Sequence, residues 1–86
     1  MEIVADKYQI IQFLGSGGFS RVYKGKSPKG KTVAIKLEKK TGHNLVIEDK
    51  ILRTMKGTEG FPKRHWFGKY NRKNALVMQC LGTSLE

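Results

Sequence analysis

Two features of this sequence combine residue types that could bind a chain of phosphate groups. The first is the stretch Leu14–Gly25, with glycines at positions 15, 17 and 18, and the second is Lys36 in the run V-A-I-K. Free N–H groups at a glycine-rich hairpin tip can donate to phosphate oxygens, and a lysine under the tip can contact the same anion. An ordinary turn and a solvated strand lysine explain each feature separately, so both interpretations stay open here.

The residues around the glycines exclude two other phosphate-binding motifs. A dinucleotide-binding fingerprint continues into a helix after its third glycine. Here Ser20 stands at the position of that glycine, and the strand-forming Val22 and Tyr23 follow it. The phosphate loop of the type G-x-x-x-x-G-K-[ST] does not occur in the sequence either.

Length and charge bound the class of protein. The 86 residues fit one small domain, and 17 Lys and Arg against 7 Asp and Glu give a net charge of +10. Such a charge indicates attraction to phosphates, nucleic acid or acidic peptides. The single cysteine, Cys80, forbids an internal disulfide, and no apolar run reaches the length of a membrane span. We therefore expect a soluble intracellular protein, cytoplasmic or nuclear, without a membrane partner.

Strand-forming runs surround the glycines and Lys36. Tyr8–Leu14, Ser20–Lys26 and Lys31–Glu38 are rich in β-forming residues, and Ser27–Gly30 is a Pro-Gly turn between the last two. They predict a three-stranded antiparallel meander. Side-chain alternation divides the third strand into two faces, Val33, Ile35 and Leu37 on one and Ala34, Lys36 and Glu38 on the other.

A helix and two more strands complete the predicted fold. Asn44 can cap a helix over Leu45–Met55, whose apolar stripe has Glu48 at its edge, and Gly57 fits a left-handed cap at the end. The predicted fold class is α+β, with a five-stranded antiparallel sheet and one main helix. The stripe consists of Ile47, Ile51, Leu52 and Met55, and the last two strands are Arg64–Gly68 and Ala75–Cys80, with a polar turn at Tyr70–Asn74 between them.

In this order the elements resemble the amino-terminal lobe of a protein kinase. The kinase signature is a glycine-rich loop ending in G-x-V, a V-A-I-K strand and a glutamate on the next helix. The matching pieces are Gly15–Val22, Val33–Lys36 and Glu48. The resemblance covers about residues 8–86, and it implies that residues 1–86 form an ATP-binding lobe whose carboxy-terminal lobe is absent.

Several segments are similar to those of the casein kinase I group. Val33–Glu38 matches the VAIKLE strand of that group, Asn44–Ile51 resembles its helix segment around I-E-x-K-I, and Leu76–Glu86 resembles its hinge, usually close to VMELLGPSLE. Ser20 departs from the pattern by replacing the third loop glycine. Gln79–Cys80 departs from it by replacing an acidic and an apolar hinge residue.

The resemblance implies a Ser/Thr kinase that, when complete, transfers the γ-phosphate of ATP to acidic or phosphorylated proteins. Lys36 and Glu48 carry the implied catalytic roles, because Lys36 contacts the α- and β-phosphates and we expect Glu48 to hold it in an ion pair. Val22 and Ala34 cover the adenine, Met78 lies behind it, and backbone groups bond its edge. The implied ATP-contacting residues are Leu14, Gly15, Ser16, Gly17, Gly18, Phe19, Ser20, Val22, Ala34, Lys36, Met78, Gln79 and Leu81.

Two kinase motifs, H-R-D-x-x-x-x-N and D-F-G, do not occur in the sequence. We therefore expect the base and the Mg²⁺ ligands in the carboxy-terminal lobe, no metal site here, and no activity of the 86 residues alone. His43 and His65 lack partners at metal-ligand spacing. The chain should self-associate or dock onto that lobe through an exposed apolar underside around Val22, Ala34, Met78 and Leu81.

Two alternatives stay open at this point. One is a kinase-like binding or scaffold protein without catalytic activity. The other is a basic, β-rich nucleic-acid-binding domain in which Lys36 and Glu48 have no special role, although the order of motifs makes nucleic acid the less favoured partner.

Overall fold

The computed structural model describes residues 2–39 and 44–80, which form six strands and one helix. The helix α1 follows the fourth strand and precedes the last two. Their bounds are β1 Ile3–Val4, β2 Tyr8–Ser16, β3 Ser20–Lys26, β4 Thr32–Glu38, α1 Asn44–Thr54, β5 Arg64–Tyr70 and β6 Lys73–Gln79.

All six strands belong to one antiparallel sheet in the order β1-β2-β3-β4-β6-β5. The prediction of a five-stranded sheet with one main helix is therefore wrong, because β1 adds a sixth strand and α1 is short. The sheet also curls toward closure: the Tyr70 hydroxyl at the end of edge strand β5 donates to Glu2 beside edge strand β1, at 2.5 Å. The result is a nearly closed, barrel-like sheet.

Strand β1 has no usable signal in the amino-acid sequence. Two residues are too few to show alternation, and the turn after them is Ala5-Asp6, at φ of 56° and 57°. That conformation is the one that Asn-Gly and Asp-Gly adopt most readily, so the pair Ala-Asp does not announce a hairpin. Val4 is nevertheless fully buried, because curling of the sheet brings it onto the core.

Each face of the central strands carries its own core. On the face away from α1, the buried residues are Val4, Tyr8, Val33, Ile35, Ala75 and Val77. On the face under α1, they are Ala34, Leu45, Leu52, Leu76 and Met78. The predicted alternation along β4 is confirmed, since Val33 and Ile35 separate from Ala34 as period two requires.

The helix packs on the sheet with Leu52 as the one buried residue of its predicted apolar stripe. An apolar stripe normally faces the core, yet Ile47 is 57% exposed, and Ile51 and Met55 are exposed too. The other buried side chains of the helix are Leu45 and Asp49. The reason is that ion pairs turn polar residues inward: Glu48 meets Lys36 on β4, and Asp49 meets Arg64 on β5.

The turns follow the expected chemistry with one difference. Gly30 has φ of 81° in the turn after Ser27, and Gly57 has φ of 84° after α1, as predicted. The turn between β5 and β6 contains only Asn71 and Arg72, both at positive φ, so the prediction of a longer polar turn over Tyr70–Asn74 is wrong. The strands continue to the two-residue turn because Tyr70 pairs with Lys73 across the ladder.

Among residues 2–39 and 44–80, no helix has the length and apolar character that a crossing of the bilayer requires.

Candidate functional site

The glycine-rich tip joins β2 to β3 and is closed by few bonds of its own. Strand β2 has irregular register with β3 between Phe13 and Gly15, where Leu14 lies exposed. At the tip, the Gly17 N–H donates to the Ser20 carbonyl at 2.9 Å, and the Ser16 hydroxyl lies 3.4 Å from the Gly17 carbonyl. Ser20 is already the first residue of β3 and has no positive φ, so glycine is not needed there.

Two N–H groups at this tip are unused. Among the described residues, no carbonyl or side chain accepts a hydrogen bond from the N–H of Gly18 or of Phe19. A Cβ at Gly15 or Gly18 would meet no atom within 4 Å, and neither residue has positive φ. Neither backbone strain nor packing therefore requires glycine at these positions.

Lys39 fastens the tip to the end of β4. Its backbone N–H donates to the Phe19 carbonyl at 3.0 Å, and its Nζ donates to the Gly17 carbonyl at 2.7 Å. Lys73 in turn donates from Nζ to the Lys39 carbonyl at 2.7 Å. The sequence analysis assigned no role to Lys39, because a lysine in a basic run normally belongs to a solvated surface.

The expected ion pair between strand and helix is present. Lys36 Nζ donates to Glu48 Oε2 at 2.5 Å, with 27% and 35% of the two side chains exposed. The helix rotation that exposes Ile47 and Ile51 is the one that lets Glu48 reach β4. A half-buried ammonium that keeps access to solvent can exchange contacts with an incoming anion.

Register places the expected nucleotide-contacting side chains in neighbouring rows on the α1 face. Val22 lies opposite Lys36 on adjacent strands, and Ala34 lies opposite Met78. Residues opposite each other in an antiparallel pair point to the same face, so the four side chains form one patch beside the glycine-rich tip.

The predicted exposed underside is wrong at two of its residues. Ala34 and Met78 are buried, because Leu45 and Leu52 of α1 cover them. Val22 is half-buried. The exposed large apolar side chains lie elsewhere, on β2, the glycine-rich tip, α1 and the loop after it: Ile11, Phe13, Leu14, Phe19, Val46, Ile47, Ile51, Met55 and Phe61, with Ile3 on β1.

The hinge is only partly described. The Gln79 N–H donates to the Lys63 carbonyl at 2.7 Å, and its side-chain oxygen accepts from the Lys63 N–H at 3.1 Å. The Gln79 N–H is therefore already used by the loop before β5. Cys80 is half-buried, whereas Leu81, His43 and the expected helix cap Thr83–Glu86 lie outside the described residues.

Titratable groups of the described residues do not gather into a metal site. Residues 2–39 and 44–80 contain no group of three or more His, Cys, Asp or Glu side chains that could hold a metal ion. Burial lowers the pKa of His65 below its usual value, and the nearby cations Lys63 and Lys31 lower it further.

Three buried polar contacts were not predicted from sequence. Asp49, on the inner side of α1, binds Arg64 and Arg53. Glu38 at the end of β4 is buried and accepts from the Asn74 amide at 2.5 Å. Charged residues are normally placed on the surface from sequence alone, and only partners distant in the chain make their burial possible.

A scan against models of known protein families finds no match for this chain.

Proposed function

We propose that this chain is the ATP-binding lobe of a casein kinase I-like protein Ser/Thr kinase. The observation that carries the proposal is the Lys36–Glu48 ion pair, which lies on the same sheet face as Val22 and Ala34. The pair joins β4 to α1 between residues 12 positions apart in the chain, in the order that the kinase signature requires.

In this function different residues contact different parts of ATP. The free N–H groups of Gly18 and Phe19 donate to phosphate oxygens, as preorganised donors do. Lys36 supplies positive charge to the α- and β-phosphates, and Glu48 orients its ammonium group. Val22 supplies the accessible apolar contact for adenine, because Ala34 and Met78 present little surface.

Mg²⁺ bound together with ATP would supply positive charge against the phosphates in this chemistry. The described residues do not fit such an ion, since no group of three potential ligands is present. The base and the metal-binding carboxylates would come from sequence that carries the H-R-D and D-F-G motifs, which these 86 residues lack. The 86-residue chain alone is therefore proposed to bind ATP weakly and to transfer no phosphate.

The test is a chimera in which this chain continues into the carboxy-terminal lobe of a casein kinase I-group enzyme. We expect it to transfer the γ-phosphate of labelled ATP to an acidic peptide, and Glu48→Gln to lower kcat by about tenfold or more. Asp6→Asn, at an exposed position of the turn after β1, is the matched control and should leave kcat unchanged.

Two results would overturn the proposal. A folded chimera that binds no ATP would exclude the nucleotide-binding role. A chimera that binds ATP with Lys36 in contact yet transfers no phosphate would favour a non-catalytic, kinase-like binding protein.

A further inference from the structure

A concave surface lies at the carboxy-terminal end of α1. Its volume is about 720 Å³, and it is lined by Leu52, Arg53 and the segment Lys56–Arg64. This volume falls within the usual range of ligand-binding clefts. None of the lining residues belongs to the proposed ATP site, so the cleft needs a separate explanation.

Two arginines of the cleft are held by one buried carboxylate. The Asp49 side chain is only 4% exposed; Arg64 Nε donates to its Oδ1, and Arg53 Nε lies 3.3 Å from its Oδ2. Both arginines thus use Nε, and their Nη groups have no hydrogen-bond partner among residues 2–39 and 44–80. Asp49 therefore binds Arg64 by a hydrogen bond and Arg53 by an ion pair, and the remaining donors of both guanidinium groups are available to an anion.

The charge of the lining favours an anionic ligand. Lys56 and Lys63 are exposed on the same cleft, and Glu59 is the acidic residue of the lining. The lining has four cationic side chains and one acidic side chain, Glu59. Counting Asp49, which binds Arg64, raises the number of carboxylates to two. The cleft thus keeps a positive balance after its internal ion pairs are subtracted.

Apolar groups accompany these charges. Phe61 is 42% exposed, Pro62 is half-buried, and Leu52 closes the cleft from α1. A small inorganic anion would leave this apolar surface in water. A ligand that places an apolar side chain beside carboxylates would cover both parts of the lining.

We propose that this cleft binds an acidic peptide segment of a partner protein, with an aromatic or aliphatic side chain on Phe61 and Pro62 and carboxylates on Arg53 and Arg64. Charge complementarity and the apolar lining together select this partner. A nucleic acid fits less well, because its continuous phosphate backbone would meet Glu59 and would not use the apolar surface.

The test uses the folded 86-residue chain and a fluorescein-labelled peptide of aspartates around one central phenylalanine, followed by fluorescence anisotropy. Arg53→Gln should weaken binding about tenfold, because it removes charge-assisted hydrogen bonds. Arg53 is 60% exposed, so the variant keeps its fold, which circular dichroism checks. Lys50→Gln is the matched control, because it removes the same charge from an exposed site of α1 outside the cleft.

Two further variants test the two halves of the cleft separately. Phe61→Ser should weaken binding of the phenylalanine peptide but leave unchanged that of a peptide of aspartates alone. Glu59→Gln should strengthen binding of both peptides severalfold, because it removes a like charge.

Three outcomes would overturn the proposal: no binding by the unaltered chain, equal weakening by Arg53→Gln and Lys50→Gln, or tighter binding of an oligothymidylate with the same loss in Arg53→Gln. The second would mean attraction to net charge alone, and the third a nucleic-acid site. None of these measurements involves phosphate transfer, so the result does not depend on the proposed kinase function.

Discussion

The two faces of β4 differ in how completely they exclude water, although their residues alternate one by one. On the face away from α1, Val33 and Ile35 are 1% and 0% exposed, and their neighbours are apolar. On the α1 face, Ala34 is buried under the helix, but Lys36 keeps about a quarter of its side chain exposed and bonds to Glu48. Positions 35 and 36 therefore belong to two different environments.

This difference shows that the α1 face can keep a charged side chain partly accessible to solvent. A fully buried ion pair is difficult to separate because each charge would be left without solvation, and an exposed pair is weakened by water and salt. The Lys36–Glu48 pair lies between these limits, beside the open glycine-rich tip. On the far face, Val33, Ile35 and Val77 are closed off from water, and their burial contributes to stability.

Lys36→Met tests the α1 face and carries the largest expected effect. In the chimera with a carboxy-terminal lobe, phosphate transfer should fall by about a hundredfold or more, because methionine keeps the stem of lysine but not its charge. Urea unfolding should change by less than about 1 kcal/mol, since the pair is partly exposed. Lys31→Met, at an exposed lysine before β4, should leave both quantities unchanged. Full transfer activity in a folded Lys36→Met protein would remove the assigned role.

Ile35→Ala tests the opposite face, one residue away. The side chain is fully buried, so truncation should lower the free energy of unfolding by about 2–5 kcal/mol through lost burial and the cavity left behind. Urea denaturation measures this, with the exposed Ile11→Ala as the control. If both variants lose the same stability, the far face is not the closed core described above.

Two glycine substitutions sharpen the comparison between packing and ligand access. A Cβ at Gly25 would lie 2.5 Å from Ile35 Cδ1 and 2.7 Å from the Gln9 carbonyl oxygen, so Gly25→Ala should cost about 1–3 kcal/mol. A Cβ at Gly18 would meet nothing within 4 Å, so Gly18→Ala should keep stability but weaken ATP binding to the chimera. Calorimetric titration with ATP and thermal unfolding separate the two effects. Equal ATP affinity in Gly18→Ala would argue against phosphate contact at the tip.

The smallest expected effect concerns the closure of the sheet edges. The hydrogen bond to Glu2, and to a lesser degree burial, raises the pKa of Tyr70 to about 12. A raised pKa favours the protonated form, so this contribution to stability is present below pH 10 and is lost as pH rises toward 12. Tyr70→Phe should cost less than about 1 kcal/mol, because the hydrogen bond to Glu2 is exposed to solvent.

Absorbance of tyrosinate gives the measurement for this last case. Tyr70→Phe should remove a tyrosinate titration step near pH 12. A step near pH 12 that persists in the variant would show that Tyr70 does not have the raised pKa.

Local sequence patterns determined the positions of most strands and the side of the sheet on which Lys36 lies. Alternation of side chains placed Ile35 and Lys36 on opposite faces, and Gly30 and Gly57 marked turns that need positive φ. These features depend on neighbours in the sequence, since the period of a strand and the conformational freedom of glycine are local properties. The expectation that Glu48 meets Lys36 came from resemblance to the kinase order of motifs.

Tertiary structure alone decided the sixth strand, the rotation of α1 and the partners of buried charges. Strand β1 exists because curling of the sheet buries Val4, and α1 exposes Ile47 because Glu48 and Asp49 are bound from other strands. Lys39 reaches the Gly17 carbonyl only when two distant turns meet. Such contacts join residues far apart in the chain, and their free energy exceeds the local preference that the sequence pattern expresses.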